Sequence, residues 1–87
     1  MLTLPIKTKW LEMIDSGEKK EEYRDITPYY DQRLKRYIGQ IIQVKLRAGY
    51  SKVSRYSIYN VLVLIGHGKT PWGANPNKQY YVLQIIT

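Results

Sequence analysis

Three stretches in the second half of the chain, Ile41 to Arg47, Tyr56 to Ile65 and Gln79 to Ile86, carry β-strand patterns with nothing helical between them. In the first, Ile42, Val44 and Leu46 alternate with Gln43, Lys45 and Arg47, so one face is apolar and the other polar. The second is long and rich in β-branched and aromatic residues. The joining segments, Ala48 to Arg55 and Gly66 to Asn77, are loops by composition. Consecutive strands joined by loops pair antiparallel. The expected architecture is therefore a small antiparallel β-barrel with helices at one end.

The first half supplies those helices. Leu2, Leu4 and Ile6 alternate with Thr3 and Pro5, which suits a short edge strand where proline is tolerated. Residues 8–16 predict a helix with Trp10, Leu11 and Ile14 on one face, Thr8 as N-cap and Gly17 as its left-handed C-terminal residue. Residues 19–24 suit a strand, with Lys19, Glu21 and Tyr23 on one face and Lys20, Glu22 and Arg24 on the other. Thr27-Pro28 starts a second helix that runs to about Tyr37 and ends at Gly39. The fold class is α+β, one domain over residues 1–87, with no internal repeat or linker.

A chain of 87 residues needs most of its large apolar side chains in one core. They are available: 44% of residues are hydrophobic, including nine Tyr and two Trp but no Phe. Tyr in place of Phe favours positions with an apolar body and a polar tip, such as a cleft wall or barrel rim. The absence of Cys excludes a disulfide framework, a zinc knuckle and a thiol nucleophile. No stretch is apolar for long enough to span a membrane, and the first six residues lack the basic flank of a signal peptide. A soluble cytoplasmic protein is the expectation.

Charge is distributed unevenly. All seven carboxylates lie in residues 1–31, against five bases, a balance of −2. Residues 32–87 hold nine bases and no carboxylate, a balance of +9. Such asymmetry points to a polyanionic partner or, more blandly, to a generic basic surface that keeps the chain soluble.

Gly17 to Arg24 reads G-x-K-x-x-E-x-R and follows the helix predicted over residues 8–16. This resembles the ASCH domain family, whose members share a PUA-like β-barrel. Tyr23 to Tyr30, Leu46 to Ser51 and Gly68 to Ala74 resemble a subset of small prokaryotic and phage ASCH proteins, in the same order, so that the resemblance covers nearly the whole chain. It implies a PUA-like barrel and an association with RNA. The family's ligand cleft lies against the barrel, and its motif residues carry over to Lys19, Glu22 and Arg24. Some members are amidohydrolases acting on N4-acetylcytidine, and at least one has been reported to be a ribonuclease. The amidohydrolases use a motif Thr and a Glu from a later strand. Here the aligned position is Glu22, and no carboxylate follows Asp31, so that triad cannot be assembled.

Each candidate has a functional and a structural reading. Lys19 grips a phosphate or carbonyl oxygen, or acts as a base; alternatively it is a lysine paired with Glu21 or Glu22. Glu22 accepts hydrogen bonds from a nucleobase and Arg24 holds a phosphate, or the two form an ion pair that stabilises the fold. Lys45, Arg47, Lys52 and Arg55 around Tyr50 make up a basic and aromatic patch suited to single-stranded nucleic acid, or a solvated face. Trp72, with Lys69 beside it, stacks on a base or plugs the end of the barrel. His67 is the only histidine, and with no Cys or nearby carboxylate no metal site is expected.

These readings converge on an RNA- or nucleotide-binding module without cofactor or metal, with Lys19, Glu22, Arg24, Lys45, Arg47, Tyr50, Lys52, Lys69 and Trp72 as binding residues. The alternative is a metal-independent ribonuclease, with Lys19 and Arg24, supported by Glu22, as its catalytic groups. An acetylcytidine-type amidohydrolase and a protein-interaction module come behind. No membrane partner is expected; a protein partner and the oligomeric state stay open.

Overall fold

The computed structural model describes residues 1–49 and 53–86. Five strands form one curled mixed sheet. They are β1 (Leu2–Pro5), β2 (Glu21–Asp25), β3 (Ile41–Arg47), β4 (Tyr56–His67) and β5 (Gln79–Ile86). Two helices, α1 (Thr8–Asp15) and α2 (Pro28–Leu34), complete the α+β fold, with short 3₁₀ turns at Lys35–Tyr37 and Thr70–Trp72. Among the described residues, no helix is long and apolar enough to cross a membrane.

The strand order is β1-β3-β4-β5-β2. Three of the pairs are antiparallel: β3–β4 and β4–β5, as the loop-joined strands predict, and β2–β5. The fourth departs from an all-antiparallel barrel: β1 lies parallel to β3, with Pro5 opposite Arg47. The chain crosses over through α1, β2 and α2 before β3, so it re-enters beside β1 in the same direction. Strands β1 and β2 are the two edges, and no backbone ladder joins them. The sheet is thus a half-barrel. A side chain spans the opening instead, as Arg24 Nη2 donates to the Pro5 carbonyl at 2.6 Å.

The alternation within each strand places Leu4, Val44, Leu46, Val61, Val63, Tyr81 and Leu83 on the concave face. Leu11 and Ile14 of α1 and Leu34 of α2 close the core from above. Complete burial of a leucine such as Leu11 contributes about 1.5–3 kcal/mol. Helix α2 starts as expected: Pro28 occupies its first turn, and the Thr27 hydroxyl accepts from the Tyr30 N–H. Helix α1 starts one residue earlier than the sequence suggests. The Lys7 carbonyl already accepts from Trp10 and Leu11, so Lys7 is the N-cap and Thr8 is helical. Gly17, at φ 84°, reverses the chain after α1, and the Lys19 N–H then bonds back to the Met13 carbonyl at 2.9 Å. That reversal decides where Lys19 points.

Four tyrosines bear out the apolar-body, polar-tip expectation. The hydroxyls of Tyr23, Tyr59 and Tyr81 donate to Glu21, Asp15 and Asp31, and that of Tyr80 accepts from the Asn75 N–H.

Candidate functional site

Strand β2 begins at Glu21, two residues later than the alternation predicts. Lys19 therefore lies on the turn before the strand, and the period of two does not bind it. It points inward with Glu22 and Arg24 rather than outward with Glu21 and Tyr23. All three are buried.

They form one ion triad. Lys19 Nζ donates to Glu22 Oε1 at 2.6 Å and also to the Glu21 carbonyl. Arg24 Nη1 donates to Glu22 Oε2 at 2.5 Å and to the Tyr23 carbonyl at 2.7 Å. Two cations against one carboxylate leave the triad net positive. Each Glu22 oxygen keeps a further lone pair. Burial pushes the Lys19 amine below the ordinary lysine range, and the Glu22 charge only partly offsets it. The ammonium also lies 5.1 Å from the Tyr23 ring centroid and 5.6 Å from that of Trp10.

A cleft of about 220 Å³ opens over the triad, lined by Pro5, Ile6, Lys7, Trp10, Glu22, Tyr23, Arg24, Trp72 and Gly73. Lys19 is absent from its lining and sits behind Glu22. The cleft is smaller than the roughly 300 Å³ at which pockets for drug-sized ligands begin. It admits one ring system.

The Gly68–Ala74 segment completes the wall. The Lys69 N–H donates to the Tyr23 hydroxyl at 2.9 Å, and that hydroxyl in turn donates to Glu21 at 2.8 Å. Burial, with Glu21 as acceptor, raises the Tyr23 pKa well above the ordinary phenol value and keeps it a neutral donor. Gly68 allows this close approach, since a Cβ there would stand 2.7 Å from the Tyr23 ring and 2.5 Å from Ala74 Cβ. Gly73, at φ 95°, turns under Trp10, where a Cβ would meet the indole at 3.0 Å. Trp72 is half-buried on the cleft wall, with Lys69 Nζ 4.8 Å from its ring.

The structure thus brings Glu22, Arg24 and Trp72 into one cleft, with Lys19 beneath it and Lys69 at its rim. Arg47 lines a neighbouring depression, and Lys45 lies 3.9 Å over the Tyr56 ring on the outer face of the sheet. Tyr50 and Lys52 lie outside the described residues. Arg55 is drawn away, pairing with Asp15 at 2.5 Å. Sequence reasoning missed Lys7, Trp10 and Tyr23. Trp10 reads as core by helical spacing, and only the fold shows one edge of it facing the loop. Among the described residues, no three His, Cys, Asp or Glu side chains are grouped so as to hold a metal ion. No family model, no curated protein and no solved structure matches the chain.

Proposed function

We propose that the chain is an ASCH-like module that binds RNA or a nucleotide-like ligand in the tryptophan cleft. One observation carries the reading: Glu22, clamped by two cations, forms the floor of a ring-sized cleft walled by Trp10, Tyr23 and Trp72. An aromatic wall accepts the face of any base. The remaining Glu22 lone pairs accept from a base N–H, as the cationic neighbours cannot. The excess positive charge of the triad, with Lys7 and Lys69 nearby, favours the attached phosphate.

The ribonuclease reading draws on the lowered Lys19 pKa. It is the weaker one, because the amine is spent on Glu22 and lies behind it. Release of its proton would strip the carboxylate of one of its two cationic counter-charges.

Trp10 and Trp72 are the only tryptophans, so intrinsic fluorescence reports on the cleft directly. A short mixed-sequence RNA is expected to quench it, with affinity falling as salt rises. Trp72→Ala is expected to weaken binding roughly five- to 150-fold, the range of one lost base stack. Fluorescence unchanged by RNA and by all four nucleoside monophosphates would sink the reading. RNA cleavage in EDTA by the wild type but not by Lys19→Met would replace it with the ribonuclease.

A further inference from the structure

Two more depressions continue the cleft along β1. One, of about 250 Å³, is lined by Pro5, Ile6, Lys7 and Gly49. The other, of about 290 Å³, is lined by Thr3, Pro5, Tyr29, Arg47 and Gly49. The tryptophan cleft shares Pro5, Ile6 and Lys7 with the first, which shares Pro5 and Gly49 with the second. These shared residues set the three in a row from Trp72, past Lys7 and over Pro5, to Tyr29 and Arg47. The parallel pairing of β1 and β3 builds this row, since it sets Pro5 opposite Arg47 and ties the Ile6 N–H to the Arg47 carbonyl at 2.9 Å.

The far end repeats the chemistry of the near one. Tyr29 is 53% exposed yet firmly posed. The Arg33 guanidinium stacks 3.5 Å from its ring centroid and donates to its carbonyl at 2.8 Å, and Tyr30 meets it edge-on at 4.9 Å. An exposed ring fixed in this way loses little entropy when a base stacks on it. Arg47 is half-buried beside it, and its guanidinium takes no part in the ion pairs of the described residues. Among the described residues, the only carboxylate lining any of the three depressions is Glu22, and two cations already hold it.

We propose that Tyr29 and Arg47 form a second base-and-phosphate subsite, so that the row of depressions takes a single-stranded RNA of several nucleotides rather than a mononucleotide. Lys7, shared by the first two depressions, contacts a phosphate between the subsites. This rests on the RNA reading of the tryptophan cleft. A mononucleotide fills the tryptophan end alone and leaves the aromatic and cationic pair at the other end without a role.

Fluorescence titration with adenosine monophosphate and with oligoadenylates of about two, four and eight nucleotides tests it, because each stack adds about 1–3 kcal/mol. The octamer is expected to bind at least tenfold more tightly than the monophosphate. Tyr29→Ala is expected to weaken the octamer roughly five- to 150-fold, the same stacking range, while leaving the monophosphate within about twofold. Arg47→Ala is expected to flatten the salt dependence of octamer binding by about 0.7 in slope, the share of one single-strand phosphate contact. Both positions are at least partly exposed, so circular dichroism is expected to match the wild type. An octamer no tighter than the monophosphate overturns the second subsite. So does wild-type octamer binding by both variants when Trp72→Ala weakens it; either result leaves the tryptophan cleft standing. No quenching by any probe overturns both.

Discussion

The triad around Glu22 and the cluster at the end of α1 are built from similar parts at similar distances. Lys19 and Arg24 hold Glu22 at 2.6 and 2.5 Å, while Arg55 and the Tyr59 hydroxyl hold Asp15, each at 2.5 Å. Solvent separates them. The triad side chains are at most 9% exposed, whereas Arg55 is 50% and Asp15 25% exposed. The same pair of unit charges 4 Å apart attracts by about 1 kcal/mol in water and about 4 kcal/mol at an effective dielectric of 20. Distance therefore says little about consequence. The buried cluster fixes the floor of a cleft because none of its members can be released to water. The exposed one tethers the start of β4 to α1 and can be given up. Between them stands Asp31, half-buried, which accepts from the hydroxyl of the buried Tyr81.

The sharpest way to break this comparison is to remove the centre of the triad. Glu22→Gln leaves two buried cations without a counter-charge and is expected to cost about 3–5 kcal/mol, read as a lowered urea midpoint. Lys19→Met keeps Glu22 balanced by Arg24 and fills the aliphatic volume, so its loss is expected to stay within about 2 kcal/mol. Equal losses for the two would mean that the triad is held by packing and not by charge.

The same contrast explains what could be read from the sequence. Strand β3 follows from alternation, and α2 from Thr27-Pro28, because those signals are local. Glu22 and Arg24 stand two residues apart on one strand, so their shared face was legible too. The inward turn of Lys19 was not, because the reversal at Gly17 and the bond back to Met13 set it, not strand alternation. Nor was the parallel partner of β1, since a four-residue strand does not encode its neighbour. The charge asymmetry has a use that composition cannot reveal. Asp15, Asp25 and Asp31 reach 40 to 53 residues along the chain to Arg55, Tyr59, Lys78 and Tyr81, and so staple the acidic segment to the basic one. Lys45, Arg47 and Lys69 have no acidic partner among the described residues, which leaves their charge for a ligand.

The intermediate case sharpens the comparison by pH. Tyr81→Phe removes a hydrogen bond to a carboxylate and is expected to cost about 1.5 kcal/mol, with Asp31 partly rehydrated. Burial and the bond to Asp31 push the Tyr81 pKa up to about 12, and burial with Asp15 does the same for Tyr59. A folded-state pKa above the unfolded value favours the protonated phenol in the fold. The resulting stability is fully present below the ordinary tyrosine value of 10.0 and is lost as pH rises through about 12. Lys19 acts in the opposite sense, because its lowered pKa relieves a cost as pH rises. Urea midpoints at about pH 9 and about pH 11 are expected to fall less for Tyr81→Phe than for the wild type. An equal fall would place the alkaline loss elsewhere.

The smallest effect is expected at the exposed cluster, and salt is the lever. Partial burial works to raise the Asp15 pKa, but hydrogen bonds from Tyr59 and Ser57 and the Arg55 charge outweigh it and hold it below the ordinary value of 3.8. Its contribution is therefore present above that value and is lost as pH falls through the lowered one. Arg55→Ala leaves Asp15 open to water and still bonded to Tyr59, so the loss is expected to be about 0.2–1 kcal/mol near neutral pH and low salt. In about 1 M salt, where screening acts over about 3 Å, most of that loss is expected to vanish. The Glu22→Gln penalty lies beyond the reach of mobile ions and is expected to persist under the same conditions. A salt-independent Arg55 penalty, or one as large as that of Glu22→Gln, would show that burial does not separate the two clusters and would return the argument to distance alone.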